Sequence, residues 1–243
     1  MTLHRGSGVA LWRQIQAAME GAIRSGQHAP GARLPTEGEL AANFGVNRHT
    51  IRRAMEELER HGLVRIEQGR GSFVAEDVVD YPLGPRTRFS EIIRAQNREP
   101  AGRILRVETV PAEARIAALL GLRAGVRVVR VVRLSLANGR PVCLGTHHFP
   151  AARFAGLEAH LRTDPSITRA MALCGVPDYR RRLTRITAAM PDAEEAEALS
   201  QPRARPVIVA ESVNEDPQGL AVDATIGLYA AARAQLVVEG SGS

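Results

Sequence analysis

The chain contains no lysine: its 32 basic side chains are all arginine. Any contact it makes to phosphate or carboxylate through such a side chain therefore uses a planar, permanently charged fork. Cysteine is nearly absent. Cys143 and Cys174 stand alone without CxxC spacing, which excludes a disulfide framework and fits a reducing compartment. No apolar run approaches the ~18 residues of a membrane span. Met1 to Val9 is polar and lacks the apolar core of a secretory signal, so the expectation is a soluble cytoplasmic protein with no membrane partner. There is no internal repeat, no Gly-rich phosphate loop, no nucleophile–base pair and no metal motif. His147 and His148 are adjacent on a predicted strand and point to opposite faces, which is poor ligand spacing. We therefore expect no metal, no cofactor and no catalytic residue. What remains is 243 residues, enough for one large or two ordinary domains, with a formal charge of +6 that permits nucleic-acid binding.

The first 75 residues carry the clearest local signals. Leu11, Ile15, Met19, Ala22 and Ile23 recur at helical spacing, and Gly26 ends that helix. Thr36 and Glu39 have capping-box spacing at the start of a second helix, and Gly45 suits its left-handed C-terminal cap. Asn47 is an N-cap for a third helix, with Val46 and Ile51 placed as a hydrophobic staple. Ile51, Met55 and Leu58 face inward, leaving Arg48, His49 and Arg52 exposed on the first turns with no acid among them. Two short strands, Leu63–Glu67 and Ser72–Ala75, follow around Gln68-Gly69-Arg70-Gly71. Helix, helix, turn, helix and hairpin make a winged helix-turn-helix. A basic helix start is what a major-groove reader needs, and a Gly-Arg-Gly tip brings Arg70 beside the minor groove. The alternative for the arginines is an ordinary solvated helix face.

Tyr-Pro and Gly-Pro in residues 76–86 disfavour helix, so this stretch reads as a linker. Beyond it, strands are expected at Ile104–Val110, Val126–Leu136, Pro141–Phe149, Arg182–Ala189, Val207–Val213 and Ala221–Tyr229. Ala-Asn-Gly makes a hairpin turn between the second and third. Helices are expected at Arg88–Ala95, Ala112–Leu120, Ile167–Leu173 and Ala193–Leu199. The fold class is α+β, with an antiparallel sheet in residues 87–243. Along 126–135, Val129, Val131, Arg133 and Ser135 share one face. An arginine in line with two valines either lines a polar pocket or snorkels at an edge.

Residues 33–74, from Arg-Leu-Pro-Thr-Glu-Gly-Glu-Leu through Asn-Arg-His-Thr-Ile-Arg-Arg-Ala to Gln-Gly-Arg-Gly-Ser-Phe-Val, resemble the GntR family of bacterial regulators. Thr-Arg-Phe-Ser-Glu at 87–91, Val-Val-Arg-Leu-Ser-Leu-Ala-Asn-Gly-Arg-Pro-Val at 131–142 and Phe-Pro at 149–150 resemble the chorismate-lyase-like UTRA effector domain of its HutC subfamily. Within that subfamily, residues 81–90 resemble PhnF-type regulators of phosphonate-utilisation genes.

The resemblance implies a DNA-binding set of Thr36, Glu37, Asn47, Arg48, His49, Thr50, Arg52, Gly69 and Arg70. Gly38 departs from the arginine many relatives carry there, which removes one expected contact. It also implies an effector set of Arg88, Phe89, Ser90, Arg133, Ser166 and Tyr229. Simple N-capping is the alternative for Ser90 and Ser166, and a rim or core position for Tyr229. Ser135 replaces a second arginine, and Gly145 replaces a glutamate, both frequent in the subfamily; these departures point to a compact effector. The partners so implied are double-stranded operator DNA, a small anionic effector that is phosphonate- or phosphate-like, and a second copy of the chain in a homodimer. The leading expectation is a repressor of phosphonate uptake or catabolism. The alternatives are a HutC-type regulator of another pathway (sugar phosphate, or histidine or other carboxylate catabolism) and an enzyme with a lyase-like domain.

Overall fold

The computed structural model describes residues 9–76 and 78–238. The stretch read above as lacking a signal therefore lies, up to residue 8, outside the described residues. The chain forms two compact units, Met1–Asp77 and Val78–Ser243. No helix among the described residues is long and apolar enough to cross a membrane.

In the first unit, α1 (Leu11–Arg24), α2 (Glu37–Phe44) and α3 (Arg48–Arg60) precede a hairpin of β1 (Val64–Glu67) and β2 (Gly71–Val74). The caps form as their residues dictate. Thr36 Oγ1 accepts from Glu39 N, and the Glu39 carboxylate takes the Thr36 amide at 2.7 Å. Asn47 Oδ1 accepts from the Thr50 amide at 2.8 Å. Gly45, between α2 and α3, has φ +64°, a backbone that glycine adopts without cost. Ile15 and Met19 of α1 meet Leu40 of α2, Ile51, Met55 and Leu58 of α3, and Val64 and Val74 of the hairpin in one buried core.

The second unit is built on a six-stranded antiparallel sheet. Its strands are β4 (Pro100–Pro111), β5 (Arg127–Ala137), β6 (Arg140–Pro150), β7 (Arg180–Ala189), β8 (Val207–Glu215) and β9 (Ala221–Ala230), in the order β4-β5-β6-β9-β8-β7. Asn138 and Gly139, both at positive φ, turn β5 into β6. Side chains alternate as the pleat requires. Val128 packs with Ile116 and Leu120 of α5 (Ala114–Leu120), and Leu134 packs with Leu199, just past α8 (Ala193–Ala198). Val129 and Val131 point the other way, into a core with Phe149, Leu157 and Leu161 of α6 (Leu157–Thr163) and Met171 of α7 (Ile167–Leu173). On that same face Ile93 of α4 (Phe89–Ala95) joins Cys143 and Tyr229.

Three stretches differ from the sequence reading. Residues 76–86, expected to be a linker, contain β3 (Val79–Pro82), which pairs in parallel with β10 (Ala234–Val237) and buries Val79 and Tyr81. Proline at the end of an edge strand removes no ladder bond, so Pro82 excluded a helix but not this strand. Strand β4 begins at Pro100 rather than Ile104, because a register shift between Ile104 and Arg106 breaks the alternation that periodicity relies on. The short helix α6 starts from a left-handed Gly156 with no side-chain cap, so it carries no start signal.

Candidate DNA interface and effector cavity

In the first unit the turn between α2 and α3 gathers the expected DNA contacts. Arg48, His49 and Arg52 are exposed on the opening turns of α3. Thr36 and Asn47 are occupied as caps, and the Thr50 hydroxyl donates to Asn47 Oδ1 at 2.9 Å. Glu37 grips Arg52 through two hydrogen bonds, Nε at 3.1 Å and Nη2 at 2.8 Å. The Arg52 guanidinium holds the Glu37 carboxyl below its ordinary range, and Glu37 raises Arg52 in turn. Glu37 thus aims an arginine, a role the sequence reading did not give it. Gly38 has a local consequence as well. A Cβ there would lie 3.2 Å from Arg48 Nη2, so the bare glycine makes room for Arg48 to fold over the start of α2. At the hairpin tip Gly69 takes φ +74°, and Arg70 lies 3.1 Å from Glu67.

In the second unit Arg88, Phe89, Ser90, Arg133, Ser166 and Tyr229 all line one cavity of about 780 Å³. Its floor is the α4/α7 face of the sheet, where Arg133, Gly145, Gly227 and Ala210 are cross-strand neighbours. Arg133 is 8% exposed. Its Nε donates to the Pro165 carbonyl at 2.8 Å, its Nη1 donates to Ser135 Oγ, and its guanidinium lies 5.8 Å from the Phe89 ring centre. Among the described residues no carboxylate lies within ion-pair distance of Arg133. Burial lowers its pKa, but a guanidinium stays charged. The result is a desolvated cation in an open cavity, with no carboxylate counter-ion among the described residues.

The other expected residues take up distinct positions. Arg88 stands over the Tyr179 ring at 4.2 Å and reaches Asp178 at 3.3 Å, while its Nη1 is buried with no hydrogen-bond partner among the described residues. The Ser90 hydroxyl has no partner among the described residues. Ser166 caps α7, accepting from the Arg169 amide at 3.3 Å, so the capping alternative holds for it even though it borders the cavity. Tyr229 is 7% exposed and packs on Tyr81 at 5.1 Å between ring centres, so it is both core and cavity wall. Burial pushes Tyr229 well above the ordinary phenol and Cys143 up to about 12, so both remain protonated.

The two subfamily departures acquire physical meaning. Ser135 receives a hydrogen bond from Arg133, and the space beside Gly145 is taken by the His147 ring, 3.3 Å from where a Cβ would stand.

Sequence reasoning missed three wall residues. Gly102 lies under Arg133, and a Cβ there would overlap the guanidinium. His147 was weighed only as a metal ligand. Asp223 was not singled out, although an acid between Val222 and Ala224 in a strand, in line with Thr225, Gly227 and Tyr229, is a signal that its face is not plain core.

The comparisons with known proteins agree with this architecture. The "Bacterial regulatory proteins, gntR family" model matches residues 11–74 and the "UTRA domain" model matches residues 95–235. The chain is 39% identical over 238 residues, 98% of each chain, to an uncharacterised HTH-type transcriptional regulator of Rhizobium meliloti. It is 32% identical to the probable transcriptional regulator PhnF of Escherichia coli, over 88% of each chain. The crystal structure of PhnF from Mycobacterium smegmatis superposes with a TM-score of 0.66 at 26% identity, covering 94% of this chain and 100% of that one. These relatives are regulators, and nothing in them supports the enzyme reading. The chain belongs to the GntR family of transcription regulators, with an N-terminal GntR helix-turn-helix domain and a C-terminal UTRA domain.

Proposed function

We propose that the chain is a homodimeric, effector-controlled repressor of phosphonate uptake or catabolism genes, acting in the cytoplasm on a palindromic operator. The head within residues 1–75 reads DNA through Arg48 and Arg52, with Arg70 at the wing tip. Residues 78–243 bind the effector and dimerise. A ligand that shifts the spacing of the two heads breaks their match to the half-sites, because half-site spacing must follow the protein two-fold.

The observation that carries the effector reading is Arg133, a buried guanidinium without a carboxylate partner at the wall of a large cavity. A bidentate, charge-assisted pair with a phosphonate or phosphate oxygen is strongest in such a place. The relatives named PhnF support the pathway. Calorimetry on the full-length protein with alkylphosphonates, inorganic phosphate and amino-sugar phosphates tests it: a phosphonate or phosphate binds. Binding of an amino-sugar phosphate alone refutes the assignment. One observation favours that second reading, a regulator of sugar-phosphate use, since about 780 Å³ exceeds what a bare phosphonate fills. Dimerisation is checked by light scattering of a 78–243 fragment, and a monomer at high micromolar concentration contradicts it.

A further inference from the structure

The cavity has a second pole. Asp223, on β9, is 1% exposed and lines the same cavity as Arg88 and Arg133. Its Oδ2 is crowded with donors: Thr225 Oγ1 at 2.7 Å, Asn214 Nδ2 at 3.1 Å and His147 Nδ1 at 3.1 Å. Its Oδ1 is buried and has no hydrogen-bond partner among the described residues. An unpaired buried carboxylate oxygen is costly to keep. Burial pushes this carboxyl up, but His147, Thr225 and Asn214 together hold it below the ordinary aspartate value, so it is ionised at neutral pH. Among the described residues, no arginine comes within ion-pair distance of it.

Between the two poles the floor carries no side chain of its own at Gly145 and Gly227, and the His147 ring leans over the first and Tyr229 and Cys143 over the second. Gly145 and Gly227 are direct cross-strand neighbours, with Arg133 beside Gly145 and Ala210 beside Gly227. Asp223 lies further along β9, about 13 Å from Gly227 at ~3.3 Å per residue. The cavity volume of about 780 Å³ agrees with an occupant longer than a lone anion.

We infer that the effector is a zwitterion: a phosphonate or phosphate held at Arg133 and Arg88, joined by a short chain to an amine that donates to Asp223 Oδ1. The inference rests on the anion reading proposed above and adds the cationic end. A hydroxyl also donates to a carboxylate, but the charge-assisted hydrogen bond of an amine is the stronger, so the amine is preferred.

The test is calorimetry on the full-length protein with matched series. The probes are 2-aminoethyl-, 3-aminopropyl- and 4-aminobutylphosphonate, their alkylphosphonate counterparts, and the hydroxyalkyl analogues. At least one amine binds about 10–100-fold tighter than its alkyl match, the size expected of one charge-assisted hydrogen bond in a desolvated site, and tighter than its hydroxyl match. In Asp223→Asn that preference disappears while alkylphosphonate binding persists. The wild-type comparison stands even if this variant does not fold. If alkylphosphonates bind and no amine improves on its alkyl or hydroxyl match, the zwitterion is wrong and the anion reading survives. If no phosphonate or phosphate binds, the anion reading fails and takes this inference with it.

Discussion

The arginines at the reading end of the head and the arginine on the cavity floor are held in opposite ways. On the head, Arg52 pairs with Glu37, Arg70 with Glu67 and Arg60 with Glu57, all with half or more of the cation's side chain in water or close to it. Exposed pairs of this kind are worth ~0–1 kcal/mol, so an arginine can exchange its glutamate for a phosphate or a base at little cost. In the cavity, Arg133 is buried and held by neutral acceptors, the Pro165 carbonyl and Ser135. Its charge has no carboxylate partner among the described residues. On the proposed function, the surface that searches DNA carries exchangeable pairs, and the site that recognises one small molecule is preformed around a buried cation.

Substitutions break this contrast by different amounts. Removing Arg133 has the largest effect. Arg133→Ala weakens phosphonate binding by at least about 30-fold, as expected for truncating one partner of a buried charge pair, and calorimetry reads it directly. An unchanged affinity makes Arg133 a structural residue. Gly102→Ala is next. The new methyl overlaps the guanidinium, so Arg133 must move off its perch. A loss of about tenfold in effector affinity, with operator binding retained, is expected from displacing such a preorganised group.

The head responds less. Arg52→Ala costs ~1–3 kcal/mol in operator affinity if the aimed fork pairs with a guanine, and it relaxes specificity at that base pair. A uniform loss on every sequence instead marks a phosphate contact. The smallest effect is Gly38→Arg. The nearby atom is the far end of the flexible Arg48 side chain, which can move, so the variant folds. Its added cation steepens the salt dependence of DNA binding by about one phosphate contact, measured as the slope of affinity against salt.

How much of this was legible in the sequence depends on distance along the chain. The head was read nearly whole because its signals are local: Thr36 with Glu39, Asn47 with Thr50, and glycine where φ turns positive. Strand alternation, also local, put Arg133 in line with two valines but left pocket or edge open; the family resemblance proposed the pocket. The rest of the cavity was not legible, because its meaning lies in pairing between distant segments. Asp223 is a functional candidate only once β6 brings His147 and β8 brings Asn214 to it. Gly102 matters only because β4 runs beside β5, and β3 exists only because β10 returns to it. Periodicity names the faces of a strand but not its neighbours.

The most direct test of the account joins the two units in one titration. Operator binding by the full-length protein is followed by fluorescence anisotropy while a phosphonate that binds the wild type is added, and the same is done for Arg133→Ala. The account predicts that the wild type releases the operator, and that the variant binds it equally well and does not let go. If Arg133→Ala still releases DNA on ligand addition, the anion is not read at Arg133, and the control of DNA binding has been assigned to the wrong site.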